Sequence, residues 1–415
     1  MKNIFKNLKL KRRGITWLAR MGFLGNASSK MKIIGVTGTN GKTTVTTLLY
    51  KVATELGCKA GLVGTVENII AGERFSATHT TPDPVSLHKL LSEMEQKGCQ
   101  YVFMEVSSHA LDQSRTAGVR FSGAVFTNLT HDHLDYHGNF EDYFKAKRKL
   151  FDGLSQEAFA LSNTDNEWGE KILEKTKARK FLYGFKKRAD FFANLEKSNF
   201  EGTELEINGD TLKSKLLGEF NAYNMLAVWS VCELLGFCEG ESKQKVLEAF
   251  EKITPPTGRF DHFSAPNGAL VIVDYAHTPD ALEKVITTAR GIKLEEGRII
   301  SVFGCGGDRD PMKRPVMGEV GSTLSDIAIF TSDNPRSENP EKIIEDMKNG
   351  LSEDLLKKVV TMPDRRKAIQ ESVRLSTAGD IILCAGKGHE TYQEINGVKN
   401  HFDDFEEFRK IFEGK

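Results

Sequence analysis

Apolar segments of five or six residues alternate along most of this chain with longer segments in which apolar residues recur every three or four positions. The short segments are typical of strands buried on both faces, and the longer segments predict helices that cover those strands. The first strands predicted in this way lie at 32–37, 101–105 and 122–127. One predicted helix face between them consists of Leu87, Leu90, Leu91 and Met94. The pattern favours an α/β fold with a mostly parallel sheet.

The pattern changes twice further along the chain. From about 180 to 217 apolar and polar residues alternate, which predicts a small antiparallel insert before a long helix at 222–235. The stretch 253–259 contains two prolines and a glycine and predicts a linker. Beyond it, a second α/β pattern predicts strands near 269–275, 298–303, 326–331, 357–361 and 379–384. We therefore expect a central domain over 31–255 and a Rossmann-like α/β domain over 256–415.

The charge balance and the cysteines exclude several classes of function. The 415 residues include 57 basic and 57 acidic side chains, so no net field favours nucleic acid, and a phosphate-rich ligand must be held by local groups. Six cysteines are spread along the chain without a C-x-x-C pair or zinc-like spacing, which predicts reduced core residues of a cytoplasmic protein. No stretch reaches the roughly 20 apolar residues that a membrane-spanning helix needs.

The first part of the chain, residues 1–30, differs from the rest. Lysines and arginines alternate there with large apolar side chains, and no acidic residue precedes Glu55. A basic amphipathic helix over residues 1–25 is able to lie on an anionic membrane surface, and a terminal helix packed on the next domain explains the pattern equally well. A secretory signal is disfavoured because the charges run through the whole segment.

A glycine-rich loop follows the first predicted strand. Residues 35–44 read Gly-Val-Thr-Gly-Thr-Asn-Gly-Lys-Thr-Thr. A strand that turns into a helix through small residues points backbone N–H groups and the positive end of the helix dipole at one place, which suits a triphosphate. Lys42 adds a charge for the outer phosphates, and the Thr43 hydroxyl is able to bind magnesium. Val36 stands where the common phosphate-loop pattern has its first glycine, and a simple turn before a helix is the alternative.

Acidic and histidine side chains follow the next two predicted strands. Glu105 ends one of them and is placed either to hold magnesium, directly or through water, or to cap the following turn. After the other strand, residues 131–137 contain three histidines and two aspartates. This density predicts a site rather than a plain polar loop. The spacing leaves the metal open, because magnesium prefers oxygen ligands and zinc accepts imidazole.

These motifs, in this order, resemble the Mur ligases, ATP-dependent amino-acid ligases of peptidoglycan synthesis. Within that family they are most similar to the MurE type, which adds the third residue to UDP-N-acetylmuramoyl-L-alanyl-D-glutamate. The resemblance covers residues 31–415. Its motifs are Gly-Thr-Asn-Gly-Lys-Thr-Thr at 38–44, Thr-Thr-Pro-Asp at 80–83, Glu-Val-Ser-Ser-His at 105–109, His-Asp-His-Leu-Asp-Tyr-His-Gly at 131–138, Asp-Tyr-Ala-His-Thr-Pro at 274–279, Gly-Gly-Asp-Arg at 306–309, Asp-Asn-Pro-Arg at 333–336 and Gly-Lys-Gly-His-Glu at 386–390.

The resemblance implies residues for ATP, magnesium and catalysis. The nucleotide residues it implies are Gly38, Thr39, Asn40, Gly41, Lys42, Thr43, Thr44, Asn224, Arg259, Asp274 and His277. The magnesium ligands are Thr43, Glu105 and His133, and the catalytic residues are Lys42, His133 and Lys147. In the family, the lysine at the position of Lys147 is carbamylated and bridges to a metal, since carbamylation turns a cation into an anion. From the sequence alone, Lys147 is a solvated charge on a helix.

The resemblance also implies the contacts of the two other substrates. The acceptor contacts are Thr80, Thr81, Ser107, Gln113 and Arg115. The amino-acid contacts are Arg309, Asp333, Asn334, Arg336, Gly386 and Glu390. In the family, an arginine in Asp-Asn-Pro-Arg goes with meso-diaminopimelate, because a guanidinium holds its distal carboxylate by two parallel hydrogen bonds and repels an ammonium. We therefore expect Arg336 to select diaminopimelate and Glu390 to suit its distal amino group.

The implied reaction transfers the γ-phosphoryl group of ATP to the acceptor's carboxylate, and the amino-acid nitrogen then attacks the acyl phosphate. Closure of the second domain over the first would exclude water. Full-length members carry an N-terminal domain that binds the uridine nucleotide, whereas 30 residues precede the phosphate strand in this sequence. Three explanations are open. The basic segment contacts the diphosphate weakly, a partner chain supplies the uridine-binding domain, or the acceptor is a different, lipid-linked molecule. A folylpolyglutamate synthase and a non-catalytic nucleotide-binding subunit are the other functions that fit the same loop.

Overall fold

The protein is described by a computed structural model over residues 25–77, 79–130 and 132–413, without the side chains of residues 134 and 135. Residues 1–24, which carry most of the segment predicted to form a basic amphipathic helix, lie outside the described part. The described residues form two compact units. The first contains 25–196, Glu204–Lys215 and Phe220–Ile253, and the second contains Lys197–Thr203, Leu216–Glu219 and 254–413.

A nine-stranded sheet forms the centre of the first unit. Its strands are β1 Lys32–Thr37, β2 Ala60–Val63, β3 Glu67–Ile70, β4 Glu73–Ser76, β5 Tyr101–Glu105, β6 Gly123–Phe126, β7 Phe159–Asn163, β8 Arg179–Gly184 and β9 Phe191–Phe192. They lie in the order β4-β3-β2-β5-β1-β6-β7-β8-β9, and all neighbours are parallel except β2 with β3 and β3 with β4. The three strands predicted from apolar runs are confirmed as β1, β5 and β6, which are neighbours. Their carboxyl ends therefore meet at one edge of the sheet.

Helices cover this sheet. They are α1 Lys42–Glu55, α2 Pro84–Gln96, α3 Ser108–Asp112, α4 Leu134–His137, α5 Phe140–Asp152, α6 Glu219–Leu235 and α7 Glu241–Lys252, with 3₁₀ turns at Ala27–Ser29 and Lys171–Leu173. In α2, Leu87, Leu91 and Met94 are buried as the periodicity predicts, and Leu90 packs partly buried against the same core. Helix α2 begins at Pro84, where Asp83 accepts hydrogen bonds from the first free N–H groups. The apolar core under these helices holds the strand ends in place.

The predicted insert at 180–217 is partly wrong. A three-stranded sheet is present, with β10 Asn194–Asn199, β11 Gly202–Ile207 and β12 Asp210–Ser214 joined by two-residue turns. Strands β8 and β9 do not belong to it, because they extend the large sheet in parallel. Strand β8 is exposed where it starts and buried where it ends, and one further strand, β9, separates it from the edge of the sheet.

A six-stranded sheet forms the centre of the second unit. Its strands are β13 Asp261–Ser264, β14 Leu270–Asp274, β15 Ile299–Phe303, β16 Ile327–Thr331, β17 Val359–Met362 and β18 Ile381–Ala385. They lie in the order β13-β14-β18-β15-β16-β17, and all neighbours are parallel except β13 with β14. The five strands predicted for this part of the chain are confirmed to within two residues.

Helices and a hairpin surround the second sheet. They are α8 Pro279–Ile292, α9 Lys313–Leu324, α10 Pro340–Lys348, α11 Glu353–Leu356, α12 Arg365–Leu375 and α13 Asp404–Glu413, with the hairpin β19 Tyr392–Ile395 and β20 Val398–His401. Two separate apolar clusters pack on the sheet residues. The parallel strands bring the segments that follow β14, β15, β16 and β18 to one edge. None of the helices in the described ranges is both long and apolar enough to cross a membrane.

Candidate active site

The glycine-rich loop between β1 and α1 has the backbone geometry of an anion site. Gly41 directly precedes α1 with a φ of 87°, and a Cβ atom there would lie 2.5 Å from Oδ1 of Asn224. Only glycine fits this conformation and this space. The first N–H groups of α1, from Lys42 to Thr44, have no acceptor within the helix, so they and the helix dipole face the loop. Nζ of Lys42 donates to the carbonyl oxygens of Gly38 (2.9 Å) and Thr39 (2.6 Å) and lies along the loop.

The loop after β6 holds the glycine-rich loop in this shape. The N–H of Thr39 donates to the Asn128 carbonyl oxygen (2.8 Å), and the N–H of Asn40 donates to Asn128 Oδ1 (2.9 Å). Thr127 Oγ1 donates to the Asn40 carbonyl oxygen at 2.6 Å. Thr39 Oγ1 also lies 3.1 Å from the hydroxyl of Tyr143 on α5. Residues that directly follow β6 therefore hold the backbone of the predicted nucleotide-binding residues 38–44.

Glu105 is a buried carboxylate beside this loop. It ends β5, pairs in register with Val36 of β1, and is 1 % exposed. Its oxygens accept hydrogen bonds from Thr43 Oγ1 (3.0 Å), Thr65 N–H (2.8 Å) and Thr65 Oγ1 (3.0 Å). None of its partners among the described residues is a cation. A buried carboxylate that meets only neutral donors, next to a threonine hydroxyl, fits a hard divalent cation such as magnesium.

Within the described residues, no hydrogen bond joins His133 to Thr43 or Glu105. Its side chain is 45 % exposed, its Nε2 lies 3.4 Å from Asp132 Oδ2, and its ring packs edge-on against His109. Burial lowers the pKa of His133 below its ordinary value, against the opposing effect of Asp132. Its φ of 53° is unusual for a residue with a side chain. Across the described ranges, which omit His131, no three histidine, cysteine or acidic side chains are arranged to hold a metal.

Lys147 is buried, so its description as a solvated helix charge, which the sequence alone gives, is wrong. It lies on the apolar face of α5, is 1 % exposed, and its Nζ donates to the Gly38 carbonyl oxygen at 2.7 Å. The Nζ atom also lies 4.4 Å from the ring centre of Tyr143. Burial lowers the pKa of Lys147 well below its ordinary value, and the charge of Lys42 lowers it further. A lower pKa favours the neutral amine, the form that reacts with carbon dioxide.

Four of the predicted acceptor residues form one hydrogen-bonded network at the backbone carbonyl group of Glu105. Thr81 is buried, and its Oγ1 donates to the Glu105 carbonyl oxygen at 2.9 Å and accepts from the N–H of Ser107 at 3.2 Å. Arg115 donates through one Nη to the Thr81 carbonyl oxygen (3.0 Å) and through Nε and the other Nη to Gln113 Oε1 (3.1 and 2.8 Å).

Thr65 completes this network, because its Oγ1 lies 3.0 Å from the hydroxyl of Thr80. The sequence analysis missed Thr65. Its only signal is its position just after β2, the parallel neighbour of the strand that ends in Glu105.

The other predicted nucleotide residues are divided between the two units. Asn224 faces Gly41 in the first unit, whereas Arg259, Asp274 and His277 belong to the second. Asp274 ends β14 and accepts the N–H groups of Phe260 (2.7 Å) and Ala276 (2.8 Å). Burial raises the pKa of Asp274, and Arg259 opposes this effect.

Tyr275 links the remaining members of the second-unit group. The guanidinium of Arg259 lies 4.9 Å from its ring centre, and Nδ1 of His277 lies 2.8 Å from its carbonyl oxygen. Burial lowers the pKa of His277. The ring of His389 lies 4.9 Å from that of Tyr275, and burial lowers the pKa of His389 to about 4. Arg259 Nε and His389 Nδ1 are buried and have no hydrogen-bond partner within the described part of the chain.

The predicted amino-acid residues lie at the carboxyl edge of the second sheet. Asn334 Nδ2 donates to Glu390 Oε2 at 2.9 Å, and the N–H of Gly386 donates to the Asp274 carbonyl oxygen at 3.0 Å. Arg336 has a φ of 53°, and one of its Nη atoms donates to the Gly307 carbonyl oxygen at 2.7 Å.

Arg309 and Arg336 flank Gly306, where an added Cβ would lie 3.6 Å and 2.9 Å from their side chains. Lys387, buried between Asp333, Asn334 and Glu390, was missed by the sequence analysis, although it lies within the quoted motif Gly-Lys-Gly-His-Glu.

Comparison with known proteins gives matches over most of the chain. Residues 36–232 match the Mur ligase middle domain, and residues 258–388 match the Mur ligase glutamate ligase domain. The UDP-N-acetylmuramoyl-L-alanyl-D-glutamate–2,6-diaminopimelate ligase of Bacteroides fragilis is 47% identical over 390 residues, which cover 94% of this chain and 80% of that protein. The protein of the same name from Parabacteroides distasonis is 49% identical over 388 residues, which cover 94% and 79%.

Solved structures agree with these matches. A UDP-N-acetylmuramoyl-L-alanyl-D-glutamate–2,6-diaminopimelate ligase structure has a TM-score of 0.67 and 34% identity, covering 92% of this chain and 78% of that chain. Escherichia coli FolC in complex with ADP shares the fold, with a TM-score of 0.65 at 19% identity over 92% of this chain and 91% of that chain. The chain therefore belongs to the Mur ligase family of ATP-dependent ligases.

Proposed function

We propose that this chain joins meso-diaminopimelate to UDP-N-acetylmuramoyl-L-alanyl-D-glutamate in peptidoglycan precursor synthesis, with the conversion of ATP to ADP and phosphate. Relatives that are 47% and 49% identical over most of the chain bear the names of such ligases. Asp-Asn-Pro-Arg, the motif that goes with diaminopimelate, stands at 333–336. Both lines of argument point to the same amino acid.

The observation that carries this proposal is the position of Glu105 between the two predicted substrate sites. On one side its carboxylate accepts from Thr43, in the first turn after the phosphate loop. On the other side the carboxylate accepts a hydrogen bond from the Thr65 hydroxyl, which also contacts the hydroxyl of Thr80. The backbone carbonyl oxygen of Glu105 accepts a hydrogen bond from Thr81. A phosphoryl donor at the loop and a carboxylate acceptor at the threonines would thus lie side by side, as phosphoryl transfer between them requires.

We infer that Glu105 and Thr43 hold magnesium, and His133 stays a predicted third ligand. The carboxylate is buried, its described donors are neutral, and the Thr43 hydroxyl lies 3.0 Å away. Oxygen donors of this kind are those that magnesium prefers. When bound, magnesium would neutralise negative charge on the phosphoryl oxygens.

The chain's own residues position the reactants. The N–H groups of the first turn of α1 and the ammonium of Lys42 hold the phosphates. An oxygen of the acceptor carboxylate attacks the γ-phosphorus, and the bond from that phosphorus to the β-phosphate oxygen breaks, releasing ADP. The neutral amine of the amino acid then attacks the carbonyl carbon of the acyl phosphate, phosphate leaves, and the nitrogen loses a proton. We assign Lys147, as a carbamate, to the phosphate-loop side of this site.

We propose that Arg336 recognises the distal carboxylate of meso-diaminopimelate and that Glu390 recognises its distal amino group. The guanidinium of Arg336 suits a carboxylate, and the carboxylate of Glu390 suits an ammonium group. Arg309, Asp333, Asn334 and Gly386 complete the proposed amino-acid site. All of these residues lie after the carboxyl ends of parallel strands of one sheet, which is where α/β proteins bind ligands.

The test is ADP release by the purified chain with magnesium, ATP and UDP-N-acetylmuramoyl-L-alanyl-D-glutamate, comparing meso-diaminopimelate, L-lysine and no amino acid. We expect release that depends on both the acceptor and diaminopimelate, with an amide product of the matching mass. ATP binding without amino-acid-dependent release would support a non-catalytic role. ADP release only with a folate acceptor and glutamate would support a folylpolyglutamate synthase. ADP release only with a lipid-linked acceptor would show that the acceptor is that molecule and not the UDP-linked one.

A further inference from the structure

Lys387 is a fully buried cation at the centre of the proposed amino-acid site. It follows β18, and its side chain is 0 % exposed. Its Nζ lies 3.7 Å from Asp333 Oδ1 and 3.6 Å from Glu390 Oε2, and it donates a hydrogen bond of 3.2 Å to Asn334 Oδ1. One ammonium group therefore faces three of the side chains proposed to bind the amino acid.

The contact with Lys387 fixes the orientation of the Asn334 amide. An ammonium only donates hydrogen bonds, so the oxygen of the amide must face it. The N–H of Glu394 donates to the same oxygen at 2.9 Å. The amide nitrogen is then turned toward Glu390, to which it donates at 2.9 Å. Without these donors the amide of Asn334 would be able to rotate and present its oxygen to the Glu390 carboxylate, which would repel it.

The charge of Lys387 also balances the acidic groups around it. Asp333 is 8 % exposed and Glu390 is only partly exposed, so two carboxylates share a small space of low polarity. Buried charges are stable only when they are paired. Oδ1 of Asp333 is buried and accepts no hydrogen bond from the described residues, although it faces Lys387. This oxygen is an acceptor that an ammonium group of an amino acid would satisfy.

We infer that Lys387 is a positioning residue for the diamino acid, which orients the amide of Asn334 and offsets the charges of Asp333 and Glu390 so that these carboxylates receive an ammonium group of the substrate. The inference rests on the proposed function. Lys387 itself is too deeply buried to reach solvent, so it acts through its three partners. Its removal therefore weakens binding of the amino acid and leaves binding of ATP and of the acceptor as it was.

Lys399 is a matched control for this inference. Its Nζ lies 4.1 Å from the ring centre of Tyr392, whereas Nζ of Lys387 lies 5.7 Å from the same ring. Lys399 is exposed on β20, and no ion pair joins it to an acidic side chain in the described ranges. Replacing either lysine by methionine removes a cation near Tyr392, but only Lys387→Met removes the cation that faces Asp333 and Glu390.

The experiment is steady-state ADP release by Lys387→Met and Lys399→Met, with meso-diaminopimelate, ATP and acceptor varied in turn. We expect Lys387→Met to raise the KM for diaminopimelate at least tenfold while the KM for ATP changes less than twofold, and Lys399→Met to behave as the wild type. The double variant Lys387→Met/Glu390→Gln should raise the KM by much less than the product of the two single effects, because both changes act on one contact. If Lys387→Met does not fold, Lys387→Gln, which keeps a donor for Asn334, is measured in the same way.

Three results would overturn the inference. They are a KM for diaminopimelate within twofold of the wild type in a folded Lys387 variant, an equal rise in the KM for ATP, and effects in the double variant that simply multiply. Failure of the wild-type chain to release ADP with diaminopimelate would instead remove the proposed function, and this is seen before any variant is made.

Discussion

Lys42 and Lys147 donate hydrogen bonds to the same carbonyl oxygen, that of Gly38, at 2.9 Å and 2.7 Å. Two ammonium groups on one acceptor repel each other, and Lys147 is the buried one. The repulsion and the burial both favour the neutral amine of Lys147. The phosphate loop therefore contributes to the chemical state of a lysine that lies 109 residues further along the chain.

We expect Lys147→Met to lower the rate of ADP release by at least about a hundredfold, because the variant has no group that forms a carbamate beside the loop. Wild-type protein equilibrated with ¹³C-bicarbonate should show a carbamate carbon by NMR, and the variant should lack it. Lys145→Met is the control, since Lys145 lies on the same helix but is exposed and paired with Glu141 and Asp142. Equal rates and equal spectra for the two variants would exclude the carbamate.

Gly41→Ala should abolish or strongly weaken ATP binding. The new Cβ would lie 2.5 Å from Asn224 Oδ1 and would push the loop out of shape. Gly57→Ala is the control, because Gly57 has a similar φ of 81° and open space around it. Both variants should lose about 1 kcal/mol of unfolding free energy from the left-handed backbone. Titration calorimetry with ATP should separate them, and similar ATP affinities for the two variants would contradict the packing argument.

Glu105→Gln should raise the magnesium concentration needed for half-maximal activity by about tenfold, which corresponds to roughly 1.4 kcal/mol of binding free energy. The amide has no charge, and its nitrogen cannot accept from Thr43 and Thr65 as the carboxylate does. Glu73→Gln is the control at an exposed carboxylate paired with Lys97. ADP release is measured against magnesium concentration, and an unchanged curve for Glu105→Gln would rule out metal binding by this residue.

Arg336→Ala should raise the KM for meso-diaminopimelate at least about tenfold, because a charge-assisted pair with a carboxylate contributes roughly 1.5–3 kcal/mol. The KM for ATP should stay within about twofold, since the change removes a substrate contact and not the phosphate site. Arg374→Ala, at an exposed arginine paired with Glu371, should have neither effect. A KM for diaminopimelate that does not change would remove the assignment of Arg336.

The second unit should lose stability in acid through His389. The pKa of His389 is lowered to about 4 by burial, with Arg259 and His277 adding to the effect. The unfolded chain therefore binds a proton on this residue from about pH 6.5 downward while the folded chain does not, and up to about 3 kcal/mol is lost between pH 6.5 and pH 4.

His389→Phe keeps a ring beside Tyr275 and should flatten the fall in urea midpoint over this range. His401→Gln, at an exposed histidine, should keep the wild-type slope. A His389→Phe variant with the same slope as the wild type would show that the acid loss has another source.

Features that depend on neighbours in sequence were predictable. The glycine-rich loop, the strands β1, β5 and β6, and five of the six strands of the second sheet follow from short runs whose pattern is local. The interpretation of 180–217 as one small insert is partly wrong because β8 and β9 join the large parallel sheet, whereas β10, β11 and β12 form a sheet of their own. Only the pairing partner separates the two cases.

Features that depend on distant partners were not predictable from the residues alone. Lys147 has a place on the apolar face of α5, four residues after Tyr143, but its charge argued for solvent. Its burial depends on Gly38. Lys387 contacts Asn334, which lies 53 residues away in sequence. Lys387 follows β18 and Asn334 follows β16, and only β15 lies between these parallel strands. Nothing local to Gly-Lys-Gly-His-Glu shows this arrangement. The family resemblance predicts the site residues, and the structure shows which of them are in contact.

The place of β1 between β5 and β6 has a consequence for synthesis of the chain on the ribosome. The phosphate loop is complete in sequence at Thr44, yet Asn128, which holds its backbone, and Glu105, which faces Thr43, emerge much later. When β1 and α1 have left the ribosome, neither β5 nor β6 is yet available to pair with β1. The ATP-binding motif is thus translated early and gains its shape only after Phe126, and until then the apolar strand β1 has to be protected from aggregation.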